Sequence, residues 1–138
     1  MSLSILPELA IGQPQWFHKV ITEGESALFA GLAGDNHPQV SNSRANGTPL
    51  RIPVHELLII GIMGGLLKSS AGTKSQFVNV MYEFLDPIYC GDRIEMGIEL
   101  IEFDPVKRLA TYKTDCYDQE KNQVITGQVV MLLQAGDA

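Results

Sequence analysis

Basic clusters, cysteine pairs and membrane-length apolar runs are all missing from this chain of 138 residues. Ten Lys and Arg lie scattered among sixteen Asp and Glu, leaving a formal net charge of −6 and a pI near 4.9. Nucleic-acid binding needs a clustered basic face, so that partner class is excluded, although a local phosphate contact is not. Cys90 and Cys116 lack any spacing that suggests metal or redox chemistry, and no secretory signal accompanies them. They read as reduced intracellular thiols, with burial as small hydrophobes the simplest use. The longest apolar stretch, Val54 to Leu67, opens with His55 and Glu56 and is too short to span a bilayer. A cytoplasmic protein with no membrane partner is expected. No repeat, low-complexity segment or linker interrupts the chain, which predicts one domain over residues 1–138 with a core that needs no staples. Charged residues make up only 19% of the chain. That is low for a monomer and predicts a homodimer or higher homo-oligomer that covers part of the surface.

What is present divides into a helical first half and a strand-rich second half. Gln15 to Ile21 is aromatic and β-branched, hence a strand. Thr22-Glu23-Gly24-Glu25 matches a capping box, in which Thr22 caps new helix amides and Glu25 reaches back to the Thr22 amide. The short helix that follows stops at Gly34. Residues 34 to 53 carry Pro38, Asn42, Asn46, Gly47, Pro49 and Pro53, so a mostly irregular segment is expected, and a long one in a compact domain is usually functional. From His55 to Lys68 the apolar residues surround the helix instead of forming a stripe, which predicts burial on nearly all sides. Gly61, Gly64 and Gly65 weaken that helix by up to about 1 kcal/mol each. Close helix–sheet packing would explain them, with room for an aliphatic chain as a secondary use. Four long β segments follow, over 76–85, 93–103, 109–117 and 123–134, joined by turn-forming runs such as Asp86-Pro87, Gly91-Asp92 and Asp104-Pro105. Residues 94–100 alternate with period two. An α+β arrangement is expected, a curved antiparallel meander wrapped around one apolar helix.

The chemistry-bearing residues gather at the start of that helix. Gly34-Asp35-Asn36-His37-Pro38 displays an acid and an imidazole in a Gly/Pro-bounded loop. His55 then opens the apolar helix, whose N-terminus can face the same loop. Three segments, in order, resemble the MaoC-like dehydratase and (R)-specific enoyl-CoA hydratase family. Phe29 to Pro38 is similar to the family's Gly-Asp-x-Asn-Pro-x-His motif. Arg51-Ile52-Pro53-Val54-His55-Glu56-Leu57-Leu58 is similar to its Val-His-Gly-Met-Leu helix entry, and Phe84 to Asp92 to its Pro-Val-x-x-Gly-Asp turn. The resemblance implies a hotdog fold over most of residues 16–134, pairing into homodimers.

It also implies the reversible addition of water to a 2-enoyl thioester of CoA or an acyl carrier protein, with no cofactor and no metal. Such a reaction needs a base for water, a proton donor, and hydrogen-bond donors on the thioester oxygen. Asp35 falls on the family's catalytic aspartate. Val40 stands where the motif has its histidine, which leaves His37 as the expected imidazole partner. Glu56 replaces the motif's glycine; the backbone amides of His55, Glu56 and Leu57, aided by the helix dipole, are expected to polarise the carbonyl. The His55 side chain itself reads as a structural group at the helix entry. Two rival readings accompany the enzyme: a noncatalytic acyl-thioester-binding protein, favoured by Val40, and a hotdog thioesterase.

Overall fold

The computed structural model describes residues 11–35, 44–45, 48–49, 52–72 and 74–134. In chain order the elements are β1 (Gln15–Val20), α1 (Glu23–Ala33), β2 (Arg44–Ala45), β3 (Thr48–Pro49), α2 (Glu56–Ala71), β4 (Gln76–Phe84), β5 (Arg93–Asp104), β6 (Leu109–Tyr117) and β7 (Gln123–Leu132). Five strands form one antiparallel sheet in the order β1-β5-β6-β7-β4, while β2 and β3 pair with each other. Only β5, β6 and β7 form the expected meander. β4 pairs with β7 instead of β5, from Gln76 opposite Leu132 to Phe84 opposite Ile125, and so becomes an edge. Within the segment expected to be irregular, β2 and β3 are a two-residue pairing; residues 36–43 lie outside the described set.

α2 lies on the inner face of this sheet. Ile59, Met63, Leu67 and Ala71, spaced every fourth residue, are its buried positions. Ile59 and Met63 join a cluster with Ile94, Met96, Cys116, Val124 and Ile125, and Leu67 and Ala71 one with Ile98, Leu100, Ala110, Tyr112 and Val129. Burying each large side chain contributes about 2 kcal/mol of apolar transfer energy. The helix is therefore buried along one stripe. Burial on nearly all sides does not occur within one copy of the chain, since Leu57, Gly61 and Gly65 are exposed. The uniform apolar composition of α2 hides which face the sheet selects.

Close approaches tie the sheet together. A Cβ on Gly97 would fall 2.7 Å from Trp16 Cζ3, so the indole of edge strand β1 lies directly over β5. A Cβ on Gly127 would collide with the Met81 carbonyl oxygen and the Tyr82 ring. This glycine lets β4 lie tightly along β7.

α1 begins at the capping box read from the sequence. The Glu25 amide donates to Thr22 Oγ1 at 3.1 Å and the Thr22 amide donates to Glu25 Oε1 at 3.1 Å. The second Glu25 oxygen accepts from Lys19 Nζ at 2.6 Å. The Lys19 ammonium and then the Thr22 amide favour the ionised carboxylate, pulling its pKa from 4.5 down to about 2. A depressed carboxylate pKa stabilises the fold above its unfolded value and loses that contribution as pH falls toward the folded one. Between about pH 4.5 and 2 the wild type should therefore lose thermal stability faster than Glu25→Gln, which has no such charge to lose. Thr22→Ala, which removes the cap acceptor, should cost about 1 kcal/mol in denaturant titrations at neutral pH.

Candidate active site

Two helix ends meet at the site. α1 closes on Gly34 in the left-handed region, φ 74°, where a side chain would be strained. The Gly34 amide donates to the Gly31 carbonyl and the Asp35 amide to the Ala30 carbonyl, the latter at 2.9 Å. This is a Schellman closure, and its second hydrogen bond fixes the backbone of Asp35, the residue after the cap glycine. α2 opens on His55, an extended N-cap residue with φ −63° and ψ 123°. Its Nδ1 accepts the Leu57 amide proton at 3.2 Å, and the Leu58 amide donates to its carbonyl at 3.0 Å. His55 Nε2 then lies 4.0 Å from Asp35 Oδ2. Because Nδ1 acts as an acceptor, a neutral His55 carries its proton on Nε2, facing the carboxylate. The Phe29 ring of α1 sits against the imidazole, centroids 5.0 Å apart and planes tilted by 58°. Both polar side chains remain partly open to solvent, at 27% for His55 and 30% for Asp35.

One turn sets the two helices relative to each other. The Val54 amide donates to the Ile88 carbonyl at 2.7 Å and the Cys90 amide to the Ile52 carbonyl at 2.8 Å, so the entry to α2 is bonded to residues 88–90. The Gly91 amide donates to the Ile21 carbonyl at 2.7 Å, fixing the entry to α1 on the same turn. Gly91 has φ 90°, and Asp92 Oδ2 accepts the Tyr89 amide at 2.9 Å. The Gly91-Asp92 pair expected to be a structural turn is thus the joint that positions the site.

Measured against the sequence expectations, Asp35 does lie at the N-terminus of α2. His37 and Val40 fall outside the described residues. Glu56 is an exposed first-turn residue, and Leu57 is 54% exposed. The Leu57 amide, expected to face a substrate carbonyl, is instead donated to His55 Nδ1. The His55 side chain acts as the structural group expected at the helix entry, accepting the Leu57 amide.

Beside α2, a cavity of about 600 Å³ opens between the helix and β4. Ile60, Phe77, Val80, Tyr82 and Val129 give it apolar walls, and Lys68 lies over the Phe77 ring at 5.5 Å. Burial raises the Tyr82 pKa above its ordinary value, so this wall is a neutral phenol. Of the three helix glycines only Gly64 meets the sheet, its added Cβ coming 3.4 Å from Phe77 Cζ; Gly61 and Gly65 face open space. Helix–sheet packing therefore explains one glycine and not the other two. Cys116 is fully buried, and desolvation pushes its thiol up to about 12, which removes it as a nucleophile. Among the described residues no three His, Cys, Asp or Glu side chains gather into a metal site, and no helix is long and apolar enough to cross a membrane.

No protein-family model matches the chain. It is similar to an (R)-specific enoyl-CoA hydratase of Rhodospirillum rubrum, 27% identical over 136 residues that cover 96% of this chain and 94% of that one. It is also 28% identical to the (R)-specific enoyl-CoA hydratase of Aeromonas caviae over 91% of this chain and 96% of the relative. The solved structure of an A. caviae (R)-hydratase superposes with a TM-score of 0.78 at 26% identity, covering 91% and 98% of the two chains. An R-hydratase from Pseudomonas aeruginosa superposes with a TM-score of 0.82 at 21% identity, over 94% and 84%. The fold is the hotdog fold. The resemblance first drawn from three short motifs thus extends over nearly the whole chain.

The open faces of Gly61 and Gly65 lead to a direct test. Replacing either by Ala adds a methyl group into free space and improves helix propensity, so each variant should gain up to about 1 kcal/mol and a higher Tm. A fall in Tm would show that something absent from a single copy packs on that face.

Proposed function

We propose that this protein is an enoyl-thioester hydratase, equally a 3-hydroxyacyl-thioester dehydratase, acting on a 2-enoyl-CoA or the corresponding acyl carrier protein thioester. The observation that carries the reading is the pairing of Asp35 with the N-terminus of α2. A carboxylate and the positive end of a helix dipole face one place. Two relatives that match at least nine-tenths of the chain bear the name enoyl-CoA hydratase, and a third, 26% identical, is a 3-hydroxybutyryl-CoA dehydratase of Methylorubrum extorquens.

In the forward direction Asp35 accepts a proton from water while the water oxygen bonds to C3 of the enoyl group. The C2=C3 electron pair shifts onto the thioester oxygen as an enolate, held by the helix N-terminus. With the Leu57 amide engaged by His55, the Glu56 amide is the remaining donor of the expected trio beside His55's own. The proton that Asp35 took from the water then passes to C2 as the enolate collapses, which completes the addition of one water with no change in oxidation state and no cofactor. The apolar cavity between α2 and β4 suits the acyl chain.

The working protein is read as a cytoplasmic homodimer. β4 is a nine-residue edge that exposes Phe77, Val78, Val80, Met81 and Phe84, and such an edge is an aggregation hazard unless a second copy covers it. Met81→Lys should therefore convert a dimer to a monomer in sedimentation analysis. A wild type that already sediments as a monomer would remove this part of the reading.

A noncatalytic thioester-binding protein is the reading favoured by Val40, and crotonyl-CoA separates the cases. The hydratase consumes the enone absorbance without releasing thiol; release of thiol identifies a thioesterase, and binding without turnover identifies a noncatalytic member. Asp35→Asn should lower kcat by at least about 100-fold while leaving thermal unfolding unchanged. Retained activity would take Asp35 out of the mechanism.

A further inference from the structure

We infer that the imidazole of His55 is the second reacting group of this site: its Nε2–H and the Asp35 carboxylate together hold the water that is added. This rests on the hydratase reading and supplies the nitrogen that Val40 cannot.

Three observations carry it. The first is distance. At 4.0 Å the His55 Nε2 and Asp35 Oδ2 atoms are too far apart for a direct hydrogen bond. Two atoms with that separation can each lie about 2.8 Å from one water oxygen, subtending roughly 90° there. The second is the tautomer. Capping requires only an acceptor, which Nδ1 provides to the Leu57 amide. Capping alone makes no use of the ring's other nitrogen, yet that N–H is the atom turned toward Asp35. The third is rigidity. The ring is held by its cap bond, by Phe29 at 5.0 Å, and by the hydrogen bond that joins neighbouring Val54 to Ile88. A fixed donor facing a fixed acceptor is the preorganisation that orients a small nucleophile.

The roles follow from the lone pairs. The water donates one O–H to Asp35 and accepts the His55 Nε2–H in one lone pair, which leaves the other aimed at C3. When the O–C3 bond forms, the proton passes to Asp35, and His55 keeps its own proton throughout. In the reverse direction Asp35 takes the C2 proton, the C3–O bond breaks, that proton passes from Asp35 to complete the departing water, and the His55 N–H stabilises the oxygen as it leaves. No oxidant, reductant or co-reactant is involved.

The two nitrogens of His55 can be separated by substitution. His55→Asn retains a cap acceptor on a side chain too short to reach the water, whereas His55→Gln carries an amide donor further out but caps poorly. Crotonyl-CoA kinetics and thermal unfolding of the full chain read out both functions. His55→Asn should keep the wild-type Tm and lose kcat roughly 100-fold with little change in KM. His55→Gln should unfold at lower temperature yet turn over at least about tenfold faster than His55→Ala. Wild-type kcat in His55→Asn overturns the inference. If that variant loses stability as well, equal kcat in His55→Gln and His55→Ala overturns it instead. A wild type that hydrates no enoyl thioester removes the hydratase reading and this one together, whereas an active wild type with an indifferent His55 removes only this one.

Discussion

The turn from Ile88 to Asp92 is the constraint on which the rest of the structure depends. Backbone hydrogen bonds run from it to Ile21, at the entry to α1, and to Ile52 and Val54, at the entry to α2. One short segment therefore sets where one helix begins and where the other presents its N-cap. The length of α1 and its closure at Gly34 then bring Asp35 back to His55. Gly91 is required because its φ of 90° is costly for any side chain, and the Asp92 carboxylate holds the turn from within while also accepting from Gln119 Nε2 at 3.1 Å. Such a joint places Asp35 and His55 through backbone geometry, which is stiffer than placement by long side chains.

Packing and chemistry divide the central helix between them. Its buried stripe, Ile59 to Ala71, anchors it on β5, β6 and β7, and this burial contributes most of the stability that holds the N-terminus still. The opposite face carries little cost of its own because Gly61 and Gly65 add no side chain to a surface left open beside an apolar cavity. The hotdog fold hosts several acyl-thioester chemistries, so the fold cannot select among them. At the N-terminus of α2 this chain places a carboxylate 4.0 Å from an imidazole, and the buried thiol of Cys116 is too weak an acid to serve as a nucleophile.

Much of the fold was legible in the residues. The capping box at Thr22–Glu25, the stop at Gly34, the apolar helix from residue 55 and the strand segments of the second half all depend on contacts a few residues apart. The position of β4 was not legible. Its sequence suits a strand anywhere in the sheet, and its place beside β7 follows from how closely Tyr82 can approach Gly127. The face of α2 that meets the sheet was equally hidden, since a helix apolar all round offers no stripe to read.

By itself, the sequence determined the element types, the hotdog resemblance and the presence of Asp35 at a helix end, because turn chemistry, capping and side-chain periodicity are local properties. Tertiary structure alone decided that His55, twenty residues further along, turns its imidazole toward Asp35. No spacing rule reports that pairing. It arises because one turn bonds the entries of both helices, and distances between elements are set by the sheet on which they rest.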